Sequence, residues 1–234
     1  MFDHTSLEVL TICLVGEYIY PSRLSNSVIS ESQFKDVCGK VKALLYFGSY
    51  TREDYVDGIS DINVIAITND KSVLMDLASM DLSPVVIDEE TLKKLCQDGD
   101  PLCYYVLNDS KLVCGSMPNF TFVFTDETCS KLLRYSRTQA KMSLEGIARR
   151  DEISSVNNLY RGIRSFIRSK CCAKGKIPLS DEDVIACCKS IKNDELCELF
   201  SRVRELRRNR EPVTYWTIRR FVRIVEGEDE DMLV

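Results

Sequence analysis

The chain has 234 residues, of which 44% are hydrophobic and 29% charged, and its formal net charge is −5 at pH 7. This composition is ordinary for a globular protein of one large or two small domains, and it excludes a general attraction to nucleic acid. A partly apolar stretch at 7–20 contains Glu8 and Glu17 and is short, which excludes a membrane span, and it lacks the basic start of a signal peptide. We therefore expect a cytoplasmic protein that does not contact a membrane.

The first predicted elements surround a glycine-serine pair. A predicted helix at 31–42 leads into an apolar run at 44–47 that is typical of a strand, and Gly48 and Ser49 follow it. Gly48 tolerates positive φ and lets a ligand approach the backbone. Ser49 provides a hydroxyl, and residues 51–55 predict a short helix whose free N–H groups would favour a phosphate. The turn after the first strand is therefore a predicted phosphate site.

A second apolar run, at 62–67, predicts the next strand. Side chains alternate along a strand, so Asp61 and Asn63 share one face while Ile62 and Val64 share the other. Mg²⁺ prefers hard oxygen ligands such as carboxylates. An acid at the start of this strand, beside a phosphate-binding turn, is therefore placed to hold Mg²⁺.

Strands and helices continue to alternate up to residue 124. Residues 84–87 and 111–114 predict strands, and residues 72–80, 89–96 and 102–107 predict helices. Asp88 stands at the position expected for the N-cap of the helix at 89–96.

From residue 125 onwards the pattern predicts helices alone. Apolar residues at helical spacing predict helices at 126–147, 152–172, 180–192, 194–209 and 213–226. The second of these has an apolar stripe formed by Val156, Leu159, Tyr160, Ile163, Phe166 and Ile167. We predict an α/β domain at 1–124, a helical bundle at 125–226 and an acidic tail at 227–234.

The order of strand, Gly48-Ser49 and then Asp61 at the next strand resembles the polymerase-β-like nucleotidyltransferase superfamily in its minimal, archaeal-type form. Arg52 also stands where that family has an arginine after its glycine-serine pair. The second metal acid of the family is replaced here by Asn63. The resemblance implies an α+β fold, with a nucleotidyltransferase mixed-sheet core followed by an all-α helical bundle like those of HEPN proteins or antibiotic adenylyltransferases.

The resemblance also implies a function, the Mg²⁺-dependent transfer of a nucleoside monophosphate from an NTP to an unknown acceptor. In that function Gly48, Ser49 and Arg52 would bind the nucleotide. Asp61 and Asn63 would be the catalytic and metal-binding residues. The ribonuclease activity of HEPN proteins requires an arginine followed closely by a histidine, and the only histidine of the chain is His4, so that activity is excluded.

Two substitutions favour rival functions. Asn63 offers a neutral amide in place of a carboxylate, and Ser83 stands where the family often has a third acid. A site with so few charges favours a degenerate, non-catalytic protein that binds nucleotide or nucleic acid, or an interaction protein whose helices pair with a partner. For Arg52 two roles stay open, since it either contacts phosphates or pairs at the surface with Glu53 or Asp54.

Eleven cysteines are many for a cytosolic chain, and none forms a C-x-x-C motif. Buried free thiols are their ordinary interpretation, whereas the proteins of hyperthermophilic archaea also form cytosolic disulfides. The abundance of Arg and Glu fits a thermophile. The neighbouring pairs Cys171-Cys172 and Cys187-Cys188 flank a loop between predicted helices and are the best disulfide candidates.

A basic run at 202–223 is the second candidate site. It contains eight arginines and only two glutamates. The arginines are Arg202, Arg204, Arg207, Arg208, Arg210, Arg219, Arg220 and Arg223. With Tyr215 and Trp216 they suit phosphate contacts and base stacking in a nucleic acid. The alternative is a solvated helix face with both aromatic side chains in the core and the acidic tail neutralising the arginines, within one chain or in a homodimer.

Overall fold

The computed structural model describes residues 34–231 of the chain. Within that part the strands are β1 Ala43–Phe47, β2 Asn63–Ile67, β3 Ser83–Ile87 and β4 Ser110–Gly115. The helices among the strands are α1 Lys35–Cys38, α2 Val73–Ala78, α3 Glu89–Gln97 and α4 Pro101–Asn108. The helices that follow are α5 Asp126–Ala148, α6 Glu152–Cys172, α7 Asp181–Ser190, α8 Asp194–Asn209 and α9 Tyr215–Asp231. The fold is therefore mixed α+β and mostly helical. The features at 7–20 and 31–33, with Cys13, lie outside the described residues.

The four strands form one mixed sheet in the order β3-β2-β1-β4. β1 is antiparallel to β2 and β4, whereas β2 and β3 are parallel. In this register Phe47 is the partner of Asn63, and Asn63 is the partner of Ser83. The end of β1 and the starts of β2 and β3 therefore meet at one edge of the sheet.

The two middle strands are apolar on both faces because helices cover both faces of the sheet. Leu44 and Val64 pack toward α1 and α2, where they contact a cluster that includes Leu77. Leu45 and Ile65 point the other way and pack toward α3 and α4. Burial on both sides explains why these strands appear in the sequence as continuous apolar runs.

Helix α6 lies at the centre of the helical part, and its predicted apolar stripe is buried in the core. Helices α5 and α6 approach closely because small residues face each other. The Ser136 hydroxyl donates to the Gly162 carbonyl oxygen at 2.8 Å. Ser143 and Ser155 each donate from the hydroxyl to the other's carbonyl oxygen, also at 2.8 Å. These bonds satisfy buried hydroxyls and fix the register of the two helices.

Ten of the eleven cysteines form disulfides, so the expectation of buried free thiols is wrong. The bonds are Cys38–Cys114, Cys96–Cys103, Cys129–Cys172, Cys171–Cys187 and Cys188–Cys197. All four candidate cysteines form disulfides, and Cys171–Cys187 links the two neighbouring pairs. Cys172 bonds to Cys129 on α5, and Cys188 bonds to Cys197 on α8. With Cys171–Cys187, these bonds join α5 to α6, α6 to α7 and α7 to α8.

Three predicted elements differ from the structure. The helix expected at 51–55 is replaced by a single 3-10 turn, Gly48–Thr51, because Asp54 turns inward to bind two arginines. The helix expected at 31–42 is shorter where it is described, since α1 ends at Cys38. Helix α9 extends beyond 226 to Asp231, so the first residues of the predicted acidic tail are helical.

Candidate functional site

A cleft of about 480 Å³ opens where the edge of the sheet meets the helical part. Its lining from the sheet side is Phe47, Gly48, Ser49, Arg52, Ser60, Asp61, Asn63, Asp100, Pro101, Tyr105 and Asp109. Its lining from α5, α6 and α8 is Lys131, Leu132, Tyr135, Tyr160, Arg161, Arg164, Ser165, Arg168 and Arg207. All five residues predicted for the site therefore lie in one cleft.

The glycine-serine turn has the backbone conformation expected of it. Gly48 has φ +80°, which glycine adopts without strain. Its N–H donates to the Asp109 carbonyl oxygen at 3.2 Å. The Thr51 hydroxyl donates to the Gly48 carbonyl oxygen at 2.7 Å. These bonds hold the turn at the end of β1, where Ser49 faces the cleft.

Asp61 lies two residues before the start of β2, and its carboxylate is already paired with an arginine. Nη2 of Arg161, on α6, donates to Oδ2 of Asp61 at 2.5 Å. The neighbouring Asn63 lies against Gly48, since a Cβ built at Gly48 would be 3.5 Å from the Asn63 amide nitrogen. Ser83, the strand partner of Asn63, adds only a hydroxyl. The three positions at which the resemblance implies acids thus meet at one edge of the sheet, with one carboxylate among them.

This donor set does not fit a pair of Mg²⁺ ions. Two bridged metals need several charged oxygen ligands, whereas Asp61 is the sole carboxylate of the three and is paired with a guanidinium. Within residues 34–231, no group of three or more histidine, cysteine or acidic side chains is placed to hold a metal. The metal role of Asp61 and Asn63 stays a prediction.

Arg52 lines the cleft, and its partners are buried rather than at the surface. Its Nε lies 2.9 Å from the Asp54 carboxylate, and its Nη1 pairs with Asp109. The Arg52 side chain is 14% exposed and that of Asp54 only 1%. Asp54 also accepts a hydrogen bond from Arg164 of α6 at 2.7 Å. Arg52 and Arg164 together neutralise Asp54 and tie the sheet to the helical part.

Arginines of α6 form the cleft wall that faces the sheet, and the sequence analysis did not identify them. Arg161, Arg164 and Arg168 follow the spacing i, i+3 and i+7, which places side chains on one face of a helix. That spacing was visible in the sequence beside the apolar stripe. The lining includes six cationic side chains and three carboxylates, and two further buried carboxylates, Asp54 and Asp181, pair with Arg164.

Two arginines of the cleft, Arg168 on α6 and Arg207 on α8, form no ion pair with a carboxylate among the described residues. Arg168 donates to the carbonyl oxygens of Pro178 and Leu179, both at 2.8 Å, and to the Tyr105 hydroxyl at 3.2 Å. Arg207 donates to the Ser60 hydroxyl at 2.7 Å. Burial lowers the pKa of both guanidinium groups.

Tyrosines provide the apolar part of the cleft. The Tyr160 ring lies 4.5 Å below the guanidinium carbon of Arg207, and its hydroxyl donates to the Asp181 carboxylate at 2.6 Å. Burial, with help from Asp181, raises the pKa of Tyr160 to about 12. Tyr135, on α5, keeps 47% of its surface exposed at the mouth of the cleft. A flat exposed ring beside cationic groups is suited to stack on a nucleobase.

The basic run at 202–223 does not form one surface, because some of its arginines have partners inside the protein. Arg204 pairs with Asp181, and Arg207 belongs to the cleft. Arg220 pairs with Glu195. The alternative that buried Tyr215 and Trp216 in the core is wrong, since they are 47% and 72% exposed. The exposed aromatic pair is the part of this prediction that the structure retains.

Comparisons with protein-family models, with curated proteins and with solved structures found no match. None of the helices within residues 34–231 combines the length and the apolar character needed to cross a membrane. The geometry of the cleft is therefore the main indication of function.

Proposed function

We propose that this chain is a nucleotidyltransferase-fold protein whose cleft binds the phosphates of a nucleotide, with weak or no nucleotide transfer. The observation that supports this function most directly is the presence of Arg168 and Arg207, two cations in the cleft wall without a carboxylate partner among the described residues. The remaining charges of the wall are largely paired within the protein.

Arg168 and Arg207 are bonded to neutral groups only, and a buried cation without an opposite charge is costly in a protein interior. An anionic ligand offsets that cost, because charge-assisted hydrogen bonds from guanidinium groups to phosphate oxygens are among the strongest in proteins. Two guanidinium groups without a carboxylate partner among the described residues suit a phosphate chain better than a single carboxylate. The Gly48-Ser49 turn adds backbone and hydroxyl groups, and the Tyr135 ring offers a surface for the base.

The alternative, an active Mg²⁺-dependent nucleotidyltransferase, needs carboxylates that can hold the metal. Of the three positions at which the resemblance implies acids, only Asp61 is a carboxylate, and it forms an ion pair with Arg161. The donors at Asn63 and Ser83 are neutral. Binding without efficient transfer is therefore the function that the cleft favours.

The experiment that tests the proposal measures thermal unfolding with ATP, GTP, CTP, UTP and adenosine. A nucleotide at a hundred times its Kd stabilises the folded state by about 2.7 kcal/mol. We expect at least one triphosphate to raise Tm, and adenosine, which has no phosphate, to leave it unchanged. Arg168→Ala should abolish the shift. Arg149→Ala removes an exposed arginine outside the cleft, and the triphosphate should raise the Tm of this variant as it does for the wild type. No shift with any triphosphate would refute nucleotide binding.

A second candidate function is nucleic-acid binding through the start of α9, where Trp216 and Tyr215 are exposed. Their rings lie 5.4 Å apart in an edge-to-face arrangement. Arg219 and Arg223, one and two turns further along, are also exposed. Exposed rings with neighbouring arginines are typical of surfaces that stack single-stranded bases. This observation favours single-stranded nucleic acid over duplex.

Trp216 is the single tryptophan of the chain, so its fluorescence reports on this surface directly. Titration with oligouridylate should quench the emission, and the affinity should fall as salt concentration rises. The double variant Arg219→Ala, Arg223→Ala should bind more weakly. Unchanged emission at low salt would exclude this second function.

A further inference from the structure

The contact between Arg161 and Asp61 places a fixed positive charge where the family resemblance led us to expect a metal ion. The two residues are separated by 100 positions, and the sheet and α6 must pack together before they meet. Their side chains are 33% and 45% exposed, so the pair faces the cleft and is not part of the core. A ligand that enters the cleft therefore meets a guanidinium beside Asp61.

This arrangement changes what Asp61 can do. A carboxylate that already accepts a short charge-assisted hydrogen bond is a poor ligand for Mg²⁺, which would have to displace the guanidinium. Arginine in turn has five N–H donors, and Asp61 is its one hydrogen-bond acceptor among the described residues. The remaining donors of Arg161 are available to the contents of the cleft.

We propose that Arg161 provides the cationic contact to the phosphate chain, so that the cleft binds a nucleoside triphosphate without a divalent metal ion. The proposal rests on the proposed function, nucleotide binding in the cleft, and adds the ligand's charge class and the independence from metal. Asp61 is the ion-pair partner of this guanidinium and does not hold a metal.

The surroundings of the pair support the same assignment. Arg168 and Arg207 line the cleft with Arg161, and neither has a carboxylate partner among the described residues. Their charges do not depend on metal loading. A triphosphate carries several negative charges, and these preorganised cations can neutralise them without the ligand geometry that Mg²⁺ requires.

The test is isothermal titration with ATP, once in excess EDTA and once in Mg²⁺, on the wild type and three variants. Arg161→Ala should weaken ATP binding in EDTA by about ten- to a hundredfold, the loss expected for a charge-assisted contact. Asp61→Asn is the variant that separates the two kinds of site. If Arg161 holds the phosphates, removing the carboxylate frees the guanidinium and affinity in EDTA stays equal or rises. If a metal holds them, affinity falls in Mg²⁺. Arg149→Ala is the matched arginine control and should bind ATP as the wild type does.

Tripolyphosphate and AMP complete the design, because the first keeps the phosphate chain without a base and the second shortens it. Tripolyphosphate binding in EDTA, with weak binding of AMP, supports the proposal. ATP binding that appears only in Mg²⁺ overturns the proposal and leaves nucleotide binding intact. No binding of ATP in either buffer overturns both. Circular dichroism melting of each variant checks that the fold is kept.

Discussion

The Arg164 guanidinium on α6 lies 2.7 Å from the Asp54 carboxylate in the β1–β2 connection, and the two side chains are 9% and 1% exposed. They come from opposite parts of the fold and are separated by 110 positions. A buried charge pair of this kind stabilises little relative to apolar packing, but loss of one partner is severe because the other charge stays buried.

Arg164→Met should therefore lower the free energy of unfolding by about 3–5 kcal/mol, since Asp54 then loses the cation that faces it from the helical part. Urea unfolding at pH 7 measures this loss. Arg149→Ala, an exposed arginine, should change it by less than about 0.5 kcal/mol. Equal effects of the two substitutions would contradict the central place of the Arg164–Asp54 pair.

The same pair predicts how stability depends on pH. Burial tends to raise the pKa of Asp54, but the charge of Arg164 and the hydrogen bonds from Arg52 outweigh it and hold the pKa below the ordinary value of 3.8. Because the pKa of Asp54 is lower in the folded state, ionised Asp54 stabilises the fold fully above its unfolded-state pKa of about 4. This stabilisation is lost as the pH falls below that value. We expect the stability difference between wild type and Arg164→Met to shrink below pH 4. Unfolding curves at pH 7 and pH 3 test this.

Leu159 lies at the centre of the α6 core and is fully buried. Leu159→Ala should cost about 2–5 kcal/mol, through lost burial and a residual cavity. Ile153→Ala is the control on the same helix, because Ile153 is 44% exposed. Chemical denaturation of both variants compares them, and a loss below about 0.5 kcal/mol for Leu159→Ala would show that the stripe is not packed as described.

The disulfides should contribute in the order of the loops that they close. Removing Cys129–Cys172, with a sequence separation of 43, should cost about 4 kcal/mol by the chain-entropy argument. Removing Cys96–Cys103, with a separation of 7, should cost about 2.5 kcal/mol. Paired cysteine-to-serine variants and their denaturation midpoints measure both, and peptide mapping without reductant confirms the pairing.

A carboxylate at position 63 should make the binding of triphosphate depend on Mg²⁺. Asn63→Asp places a second carboxylate at the start of β2, and we expect it to improve Mg²⁺-dependent binding of triphosphate. The gain should be larger with Arg161→Ala in the same chain, because Asp61 is then free to bind the ion. Titration of ATP with and without Mg²⁺ measures both variants. Strong Mg²⁺-dependent turnover of the wild type, unaffected by Asn63→Asp or Asp61→Ala, would place the metal site elsewhere.

Local patterns predicted the strands and most helices because their causes lie within a few residues. Leu44 and Ile65 are buried on a two-sided sheet, and Gly48 has the positive φ that a turn after β1 requires. Asp88 caps α3 through the Thr91 N–H at 2.8 Å, as its position predicts. The helix expected at 51–55 is absent because Asp54 turns inward to bind Arg164, which is distant in sequence, in addition to its neighbour Arg52.

The charge character of the cleft could not be predicted in the same way. Whether Asp61 holds a metal depends on Arg161, which reaches it only after α6 packs against the sheet. Arg168 and Arg207 come from two helices, and their lack of carboxylate partners within residues 34–231 is a property of the assembled cleft. The sequence showed the spacing of the α6 arginines but not which residues they would meet.

The disulfides of the two neighbouring cysteine pairs connect helices α5, α6, α7 and α8 by covalent bonds in addition to the backbone. Cys172 and Cys171 connect α6 backward to α5 and forward to α7, and Cys188 continues the connection to α8. A protease that cuts the segment 173–180 would open the chain without releasing a fragment, since Cys171–Cys187 spans the cut. The nicked protein would migrate as one molecule in a denaturing gel until reductant separates the two pieces.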